Sequence, residues 1–459
     1  MENREAAWND SGAVQPAVYP PGLHNSFLFT VFNALSYQIV LGSPMILYAK
    51  ALGASATVLG LIAGMMPLLV ISQIPAANYI PRMGFKRFVL AGWGTRVMFI
   101  FGMAVVPLVS AFMSSRTQIV LLLLLLFGFN LSRGISSCAW LPWITALIPA
   151  SMRGKYLATD AGMQNAASCV TFLVAAGCLV GEPRPWQFGV LFLFSAITGA
   201  ISLFFLNHMP DAPVPEDARQ ASKGRVPWLA MATYDPFKRL LMAVVGYAVA
   251  YGGISTFTVT FLRVHGMSEG KILLVSSMAF IGGLSSLWLM AARFDRTGSK
   301  PVLTTCFIAW TFVLLGWLAL SGGVMPITLW SVLLLQFLMG LLAALVQMSN
   351  TRLAMSVIPE MGRNHFFAIY SVTANLTLGV APILWGLLLD AVGTKSHRWL
   401  GITWNNFSVF FGAVALCWAV SVIFARRLHE PAALSMEQLI RDVMNQTPLR
   451  FLVRLFPRG

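Results

Sequence analysis

The sequence predicts an all-α membrane protein of about twelve transmembrane helices, arranged as two similar six-helix halves. Three observations lead there. Hydrophobic residues make up 57% of the 459 residues and charged residues only 10%, whereas roughly a quarter of a soluble domain is charged. Mean hydropathy is +0.74. Apolar runs long enough to cross a bilayer, which takes about 20 helical residues, recur along the whole chain. Short turn and charge motifs then return at a nearly constant spacing in the second half. Period-two alternation, the mark of a membrane barrel, is absent.

Taken in order, residues 1–23 are polar, contain Pro16, Pro20 and Pro21, and lack the apolar core of a cleavable signal. They are expected to be a cytoplasmic segment, with the first span directing insertion. Apolar runs near 27–49, 57–80, 88–110, 118–147, 157–181 and 186–206 form an N-terminal half, 24–206. Residues 207–237, rich in Pro, Asp, Arg and Gly, read as a cytoplasmic linker. Runs near 240–262, 271–292, 301–321, 328–357, 365–391 and 403–425 form a second half, 238–427. Residues 428–459 form an amphipathic tail. Ser435 and Gln438 make a capping box there, Met436, Leu439, Ile440, Val443 and Met444 an apolar stripe, and the basic, apolar "LRFLVRLFPR" is expected to lie on the inner leaflet.

The 31 Lys and Arg outnumber 16 Asp and Glu. They concentrate in loops on the side of the termini and linker, which makes that side cytoplasmic. The net charge of +15 therefore reports topology and contact with anionic membrane lipids, and no nucleic-acid partner is expected. The five cysteines (Cys138, Cys169, Cys178, Cys306 and Cys417) fall inside spans with no metal-ligand spacing. Helix packing accounts for them.

The repeat is explicit. "LGAS" (Leu52–Ser55) answers "HGMS" (His265–Ser268), and "IPASMRGKY" (Ile148–Tyr156) answers "IPEMGRNHF" (Ile358–Phe366). "YIPRMGFK" (Tyr79–Lys86) answers "RFDRTGSK" (Arg293–Lys300), so that Gly84 and Gly298 lie 214 residues apart. Two such halves place a solute site between them near the bilayer midplane. The last motif carries a resemblance. Asp295, Arg296, Gly298 and Lys300 match the G-x-L-A-D-R-x-G-R-K loop of the major facilitator superfamily, which the chain resembles along nearly its whole length. Ala291 replaces the leading Gly and Ser299 a basic residue. The first copy keeps Arg82, Gly84, Lys86 and Arg87, but has Ala77 for the Gly and Pro81 for the acid. "APILWGLLLDAVG" (Ala381–Gly393) is similar to the family's eleventh span. "WLPWITALIPASMRGKY" (Trp140–Tyr156) resembles a branch of bacterial permeases of largely unassigned substrate.

The resemblance implies the major facilitator fold and alternating access. It also implies gating by the charged loop. Asp295 would meet the start of the fifth span, around Gly154–Leu157 beside Arg153 and Lys155, where the helix dipole favours an anion. Gly298 supplies the tight turn, and Arg296 and Lys300 hold the loop in the cytoplasm. The plainer alternative is that these residues only obey the positive-inside rule.

Polar side chains inside spans are costly and point to function. In the fourth span Asn130, Arg133, Ser137 and Trp140 share one helical face. In the tenth, Gln336, Gly340, Ala343, Gln347 and Asn350 do the same. Asn33 and Tyr37 pair on the first span, and Tyr247 and Tyr251 on the seventh. In the family these four spans line the cavity. Asn33, Tyr37, Asn130, Arg133, Ser137, Trp140, Tyr247, Tyr251, Gln347 and Asn350 are therefore the expected substrate-binding set, with interhelical hydrogen bonding as the alternative. Arg96, in the third span, is expected in an ion pair or snorkelling. Asp160 shares a face with Gln164, Ser168 and Thr171, and is the candidate proton carrier. Pairing with Lys155 or Arg153 would instead keep it ionised. Asp390 falls at the outer interface.

No H-E-x-x-H, P-loop, G-x-S-x-G or nucleotide fingerprint occurs, so neither enzyme chemistry nor a cofactor or metal is expected. The expected function is secondary active transport of a small organic solute, anionic or sugar-like, across a bacterial inner membrane. The expected partners are that solute, a coupling proton or ion, and lipid, with the protein a monomer. The alternatives are an exporter of amphiphilic compounds and a non-transporting receptor or scaffold.

Overall fold

The computed structural model describes residues 21–148, 152–213, 228–290, 299–357 and 363–428. Eleven helices among them are long and apolar enough to cross a membrane. In the first half these are His24–Ala51, Ala56–Met83, Phe85–Leu108, Ser115–Leu147, Tyr156–Cys178 and Pro185–Asn207. In the second they are Asp235–Val264, Ser299–Ser321, Leu329–Ala354, Phe366–Val392 and Asn406–Arg426. The remaining position, the eighth, is filled by Glu269–Met290, which packs between the fifth and tenth spans. Its first turn carries Glu269 and Lys271. Helices predominate because a backbone in lipid must satisfy its hydrogen bonds within the segment. Local signals set where they start. Ser55, Ser114 and Asn405 accept hydrogen bonds from first-turn N–H groups. Pro185 and Pro236 occupy first turns, where a missing N–H costs nothing.

Two spans are broken at corresponding points. The first runs His24–Leu41 and resumes as Ser43–Ala51 after Gly42. The seventh runs Asp235–Tyr251 and resumes as Ile254–Val264 after Gly252 and Gly253. Pro44 explains the first break, since its ring cannot follow a regular turn. Gly253, at φ 83°, explains the second. Gly42 and Gly252 lie 210 residues apart, the spacing of the "IPASMRGKY" repeat.

The halves meet along the second and eleventh spans and along the fifth and eighth. Small residues make the first contact close. A Cβ on Gly64 would lie 2.1 Å from the Gly379 carbonyl oxygen, and one on Gly60 2.2 Å from that of Pro382. Such backbone approach is the usual glue between membrane helices.

The structure differs from the sequence reading in two places. The first two residues of the run read as the twelfth span, Thr403 and Trp404, belong instead to an antiparallel hairpin, His397–Trp399 with Ile402–Trp404, and the helix begins at Asn406. Leu400 (φ 51°) and Gly401 (φ 77°) supply its left-handed turn. A short helix, Trp228–Thr233, lies within the segment read as linker, and the seventh span begins at Asp235. The N-terminal segment up to residue 20, the linker's centre, the tail stripe, and Asp295, Arg296 and Gly298 lie outside the described residues.

Candidate functional site

In the first half, polar side chains zip the first span to the third and fifth. The Asn33 side-chain oxygen accepts from Arg96 Nη2 and, at 3.3 Å, from Trp93 Nε1. Thr30 donates to Asp160, Gln164 to the Tyr37 hydroxyl, and Gln38 to Ser168 at 2.9 Å. The Asp160–Gln164–Ser168 face thus docks on the first span. Arg96 does not snorkel, and it joins no ion pair among the described residues. It is 1% exposed, and its guanidinium sits 5.2 Å from the Trp93 ring and 5.5 Å from that of Phe129. Ring faces and an amide oxygen replace the carboxylate the sequence reading expected. Arg133 is half-buried, within electrostatic reach of Tyr37 and Arg96.

The second half is built from rings. Trp310 stacks on Trp418 with centroids 5.0 Å apart and planes at 4°. Tyr247 stacks on Tyr251 at 5.3 Å, and Tyr251 meets Trp310 edge-on. Offset and edge-to-face pairs of this kind make a rigid wall.

Between the halves lies a cavity of about 370 Å³, within the range of roughly 300–1,000 Å³ typical of small-molecule sites. Both helix breaks edge it, through Gly42 and Ser43 on one side and Gly252, Gly253 and Ser255 on the other. Tyr251, Trp310, Gln336 and Asn375 supply its larger polar groups, and Met66, Pro67, Met339 and Pro382 much of its apolar surface. At the end of the bundle that carries the hairpin, the halves are held together. Ser43 and Ser276 hydroxyls meet at 3.1 Å. Asp390 accepts from Ala56 N (3.0 Å), Thr57 N (2.8 Å) and Thr57 Oγ1 (2.6 Å). An anion from the eleventh span thus sits on the N-terminus of the second, where the dipole favours it.

Of the substrate-binding set expected from sequence, Tyr251 lines this cavity. Tyr247 is buried behind it. Asn33 and Tyr37 are engaged in the seam described above. Asn130 is buried and donates to Leu126 O within its own helix; Ser137 donates to Gly134 O. Trp140 packs on Phe29, Trp93 and Trp143. Gln347 is exposed and Asn350 buried, one to two turns beyond the cavity residues Gln336, Met339, Gly340 and Ala343 of the same helix. Lys300 lies in the first turn of the ninth span. The fifth-span helix begins at Arg153, whose side chain, like that of Lys155, is outside the described residues. Trp310, Ser43, Ser255 and Asn375 were missed. The Gly42 and Gly252 spacing could have pointed to this wall.

Sequence comparison agrees with this architecture. The profile of the Major Facilitator Superfamily matches residues 26–294 and 273–456. The chain belongs to this superfamily. No protein of curated function matches its sequence. Solved structures of the same fold include a D-xylose–proton symporter, 14% identical with a TM-score of 0.67, covering 90% of this chain and 98% of the other. The xylose transporter XylE from E. coli, inward open, is 15% identical with a TM-score of 0.65, over 92% and 98%. A variant of the nucleoside transporter NupG is 14% identical with a TM-score of 0.65, over 89% and 100%. At these identities the likeness is one of fold. For this superfamily member, the repeat, the paired breaks and the cavity between the halves are one arrangement.

Proposed function

We propose that the protein is a secondary active transporter that carries a small organic solute across a bacterial inner membrane by alternating access. The carrying observation is the central cavity, edged by the broken first and seventh spans and shut off at one end by contacts between the halves. Discontinuous helices at the interface of two repeats are where such folds hold their solutes. The Lys and Arg distribution puts the termini and linker in the cytoplasm, so the hairpin end faces outward and the sealed state is inward-facing. Its fold relatives include xylose and nucleoside transporters, which favours a solute of similar size.

In this reading Arg133, with Tyr37, Ser137 and Gln347, lines the inward path below the cavity and guides polar groups of the solute, while the buried Asn130 and Asn350 stiffen its wall. Asp160 carries the coupling proton, moving it against Thr30 at the first-span seam. When the hairpin end opens, Asp295 closes the opposite end on the start of the fifth span beside Arg153, with Arg296, Gly298 and Lys300 shaping the loop. The test is uptake of labelled sugars, nucleosides and organic acids by proteoliposomes. One of them is expected to cross in the wild type, with flux lowered at least about tenfold in folded Arg133→Ala and also in Arg133→Lys, which lacks the planar fork. Absence of flux for every solute overturns the transporter reading. Equal flux in the Ala variant overturns the role of Arg133.

A further inference from the structure

We infer that the central cavity takes an uncharged, polyhydroxylated solute, read by the second half through the Trp310 indole N–H and the Gln336 side-chain carbonyl. This rests on the transporter reading for what happens to the solute, but on the cavity wall alone for its chemistry.

Two wall residues carry the inference. Trp310 is 0% exposed and Gln336 6% exposed, and both line the cavity. Trp310 Nε1 and Gln336 Oε1 have no hydrogen-bond partner among the described residues. One is a donor and the other an acceptor. A buried polar atom left unpaired costs free energy, so native structures rarely keep one without a reason. Here two such atoms, of opposite polarity, belong to residues that line the same cavity. A hydroxyl group satisfies both kinds, since it donates one hydrogen bond and accepts two.

The rest of the wall agrees. None of its side chains carries a formal charge. The cations of the first half lie elsewhere: Arg96 is sealed under Trp93 and Phe129, and Arg133 is absent from the lining. At each break one helix ends and another begins, at Leu41 and Ser43, and at Tyr251 and Ile254. Terminal carbonyls and N–H groups therefore edge the cavity together. Their partial charges oppose one another, which suits groups that both donate and accept and gives an anion no net advantage. Asn375 donates to Ser371 and leaves its side-chain oxygen for a further hydroxyl. Tyr251 and the apolar wall provide faces for the C–H surface of such a solute. Trp310 is fixed in orientation by stacking on Trp418, so its N–H direction is preorganised, which lowers the entropic cost of binding.

The experiment measures ligand-induced thermal stabilisation of the purified full-length protein. The probes are neutral aldoses, polyols and nucleosides, beside the matching aldonates and sugar phosphates. A neutral member is expected to raise the unfolding temperature of the wild type, and its charged counterpart to have no effect. Trp310→Phe and Gln336→Leu each weaken that binding about tenfold, the worth of one lost hydrogen bond with its partner left unpaired. Trp404→Phe also removes a buried, unpartnered indole N–H, but away from this cavity, and leaves affinity unchanged. Stabilisation by the anionic probes alone, by no neutral probe, or by a neutral probe with unaltered affinity in both cavity variants overturns the assignment. Flux measured in parallel separates the two readings. Neutral solute that binds through Trp310 but never crosses overturns transport alone. Translocation of an organic acid, unaffected by Gln336→Leu, overturns the uncharged-solute assignment alone.

Discussion

The two halves share a backbone plan and differ in what fills it. At the 210-residue spacing Asn33 maps onto Ala243, Tyr37 onto Tyr247, Arg133 onto Ala343 and Asp160 onto Tyr370. At the 214-residue spacing of the charged loops, Arg96 maps onto Trp310. The first half therefore holds its spans with cations, amides and a carboxylate, and the second with stacked rings. The features that recur are backbone devices: the breaks at Gly42 and Gly252, and the turns before Ser55 and Ser268. Where the chain must bend is dictated by the fold, and few residues permit it. What packs beside the bend is free to differ, provided each buried polar group finds a partner.

The seals at the hairpin end show the same divergence. On one side Asp390 clamps Ala56 and Thr57, and Gly64 lies against Gly379. On the other, Gly270 approaches the carbonyls of Ala176 and Leu179, while its neighbour Glu269 turns away to Arg263 at 2.7 Å. One seal is a carboxylate hydrogen-bonded to a helix N-terminus over a glycine seam. The other is close packing beside the single Ser43–Ser276 hydroxyl pair.

Breaking the seals should give the largest effect. Gly64→Val puts a Cβ 2.1 Å from a backbone oxygen, and Gly270→Val one at 2.9 Å. Overpacking costs about 1–3 kcal/mol, and Gly64→Val should fall at the upper end and Gly270→Val at the lower. Thermal unfolding in detergent ranks them, and paired labels at Lys50 and Thr394 should move further apart in the first. Equal effects would mean that the two seals bear equally on closure. Next comes the polar core. Asn33→Ala strips Arg96 of its acceptor and gives the first half the residue the second already has at Ala243. Hydrogen bonds to charged groups are worth about 1.5–3 kcal/mol, and stability should drop by that order. No loss would show that the flanking rings alone compensate the charge. The smallest effect is Asp390→Asn, which keeps one acceptor and removes the anion from the second-span N-terminus. About 0.3–1 kcal/mol is at stake at an exposed helix end, which shifts the outward-open population roughly two- to fivefold. The same label pair reads it. An unchanged distance distribution would leave Gly64 and its neighbours as the whole of that seal.

By itself the sequence determined the membrane class, the twelve positions, the repeat and the superfamily. Each is written in local pattern: apolar runs as long as a bilayer is thick, and motifs that return at fixed spacing. It also singled out the faces that matter, since Asn33–Tyr37, Asp160–Gln164–Ser168 and Gln336–Gly340–Ala343 each form one stripe in the structure. Only the tertiary structure decided which stripe meets which. Helical periodicity orients a side chain around its own axis and says nothing of the neighbour it faces. The fifth-span stripe turned to the first span, the upper part of the tenth-span stripe to the cavity, and Arg96 to a slot between two rings. Asp390, an unremarkable acid at a span end in the sequence, found its function more than 330 residues away on the second span's N-terminus. The breaks were hidden for a related reason. A single glycine beside a proline, or a glycine pair, reads as continuous apolar chain, and it becomes a cavity wall only when both halves bring theirs to the same height.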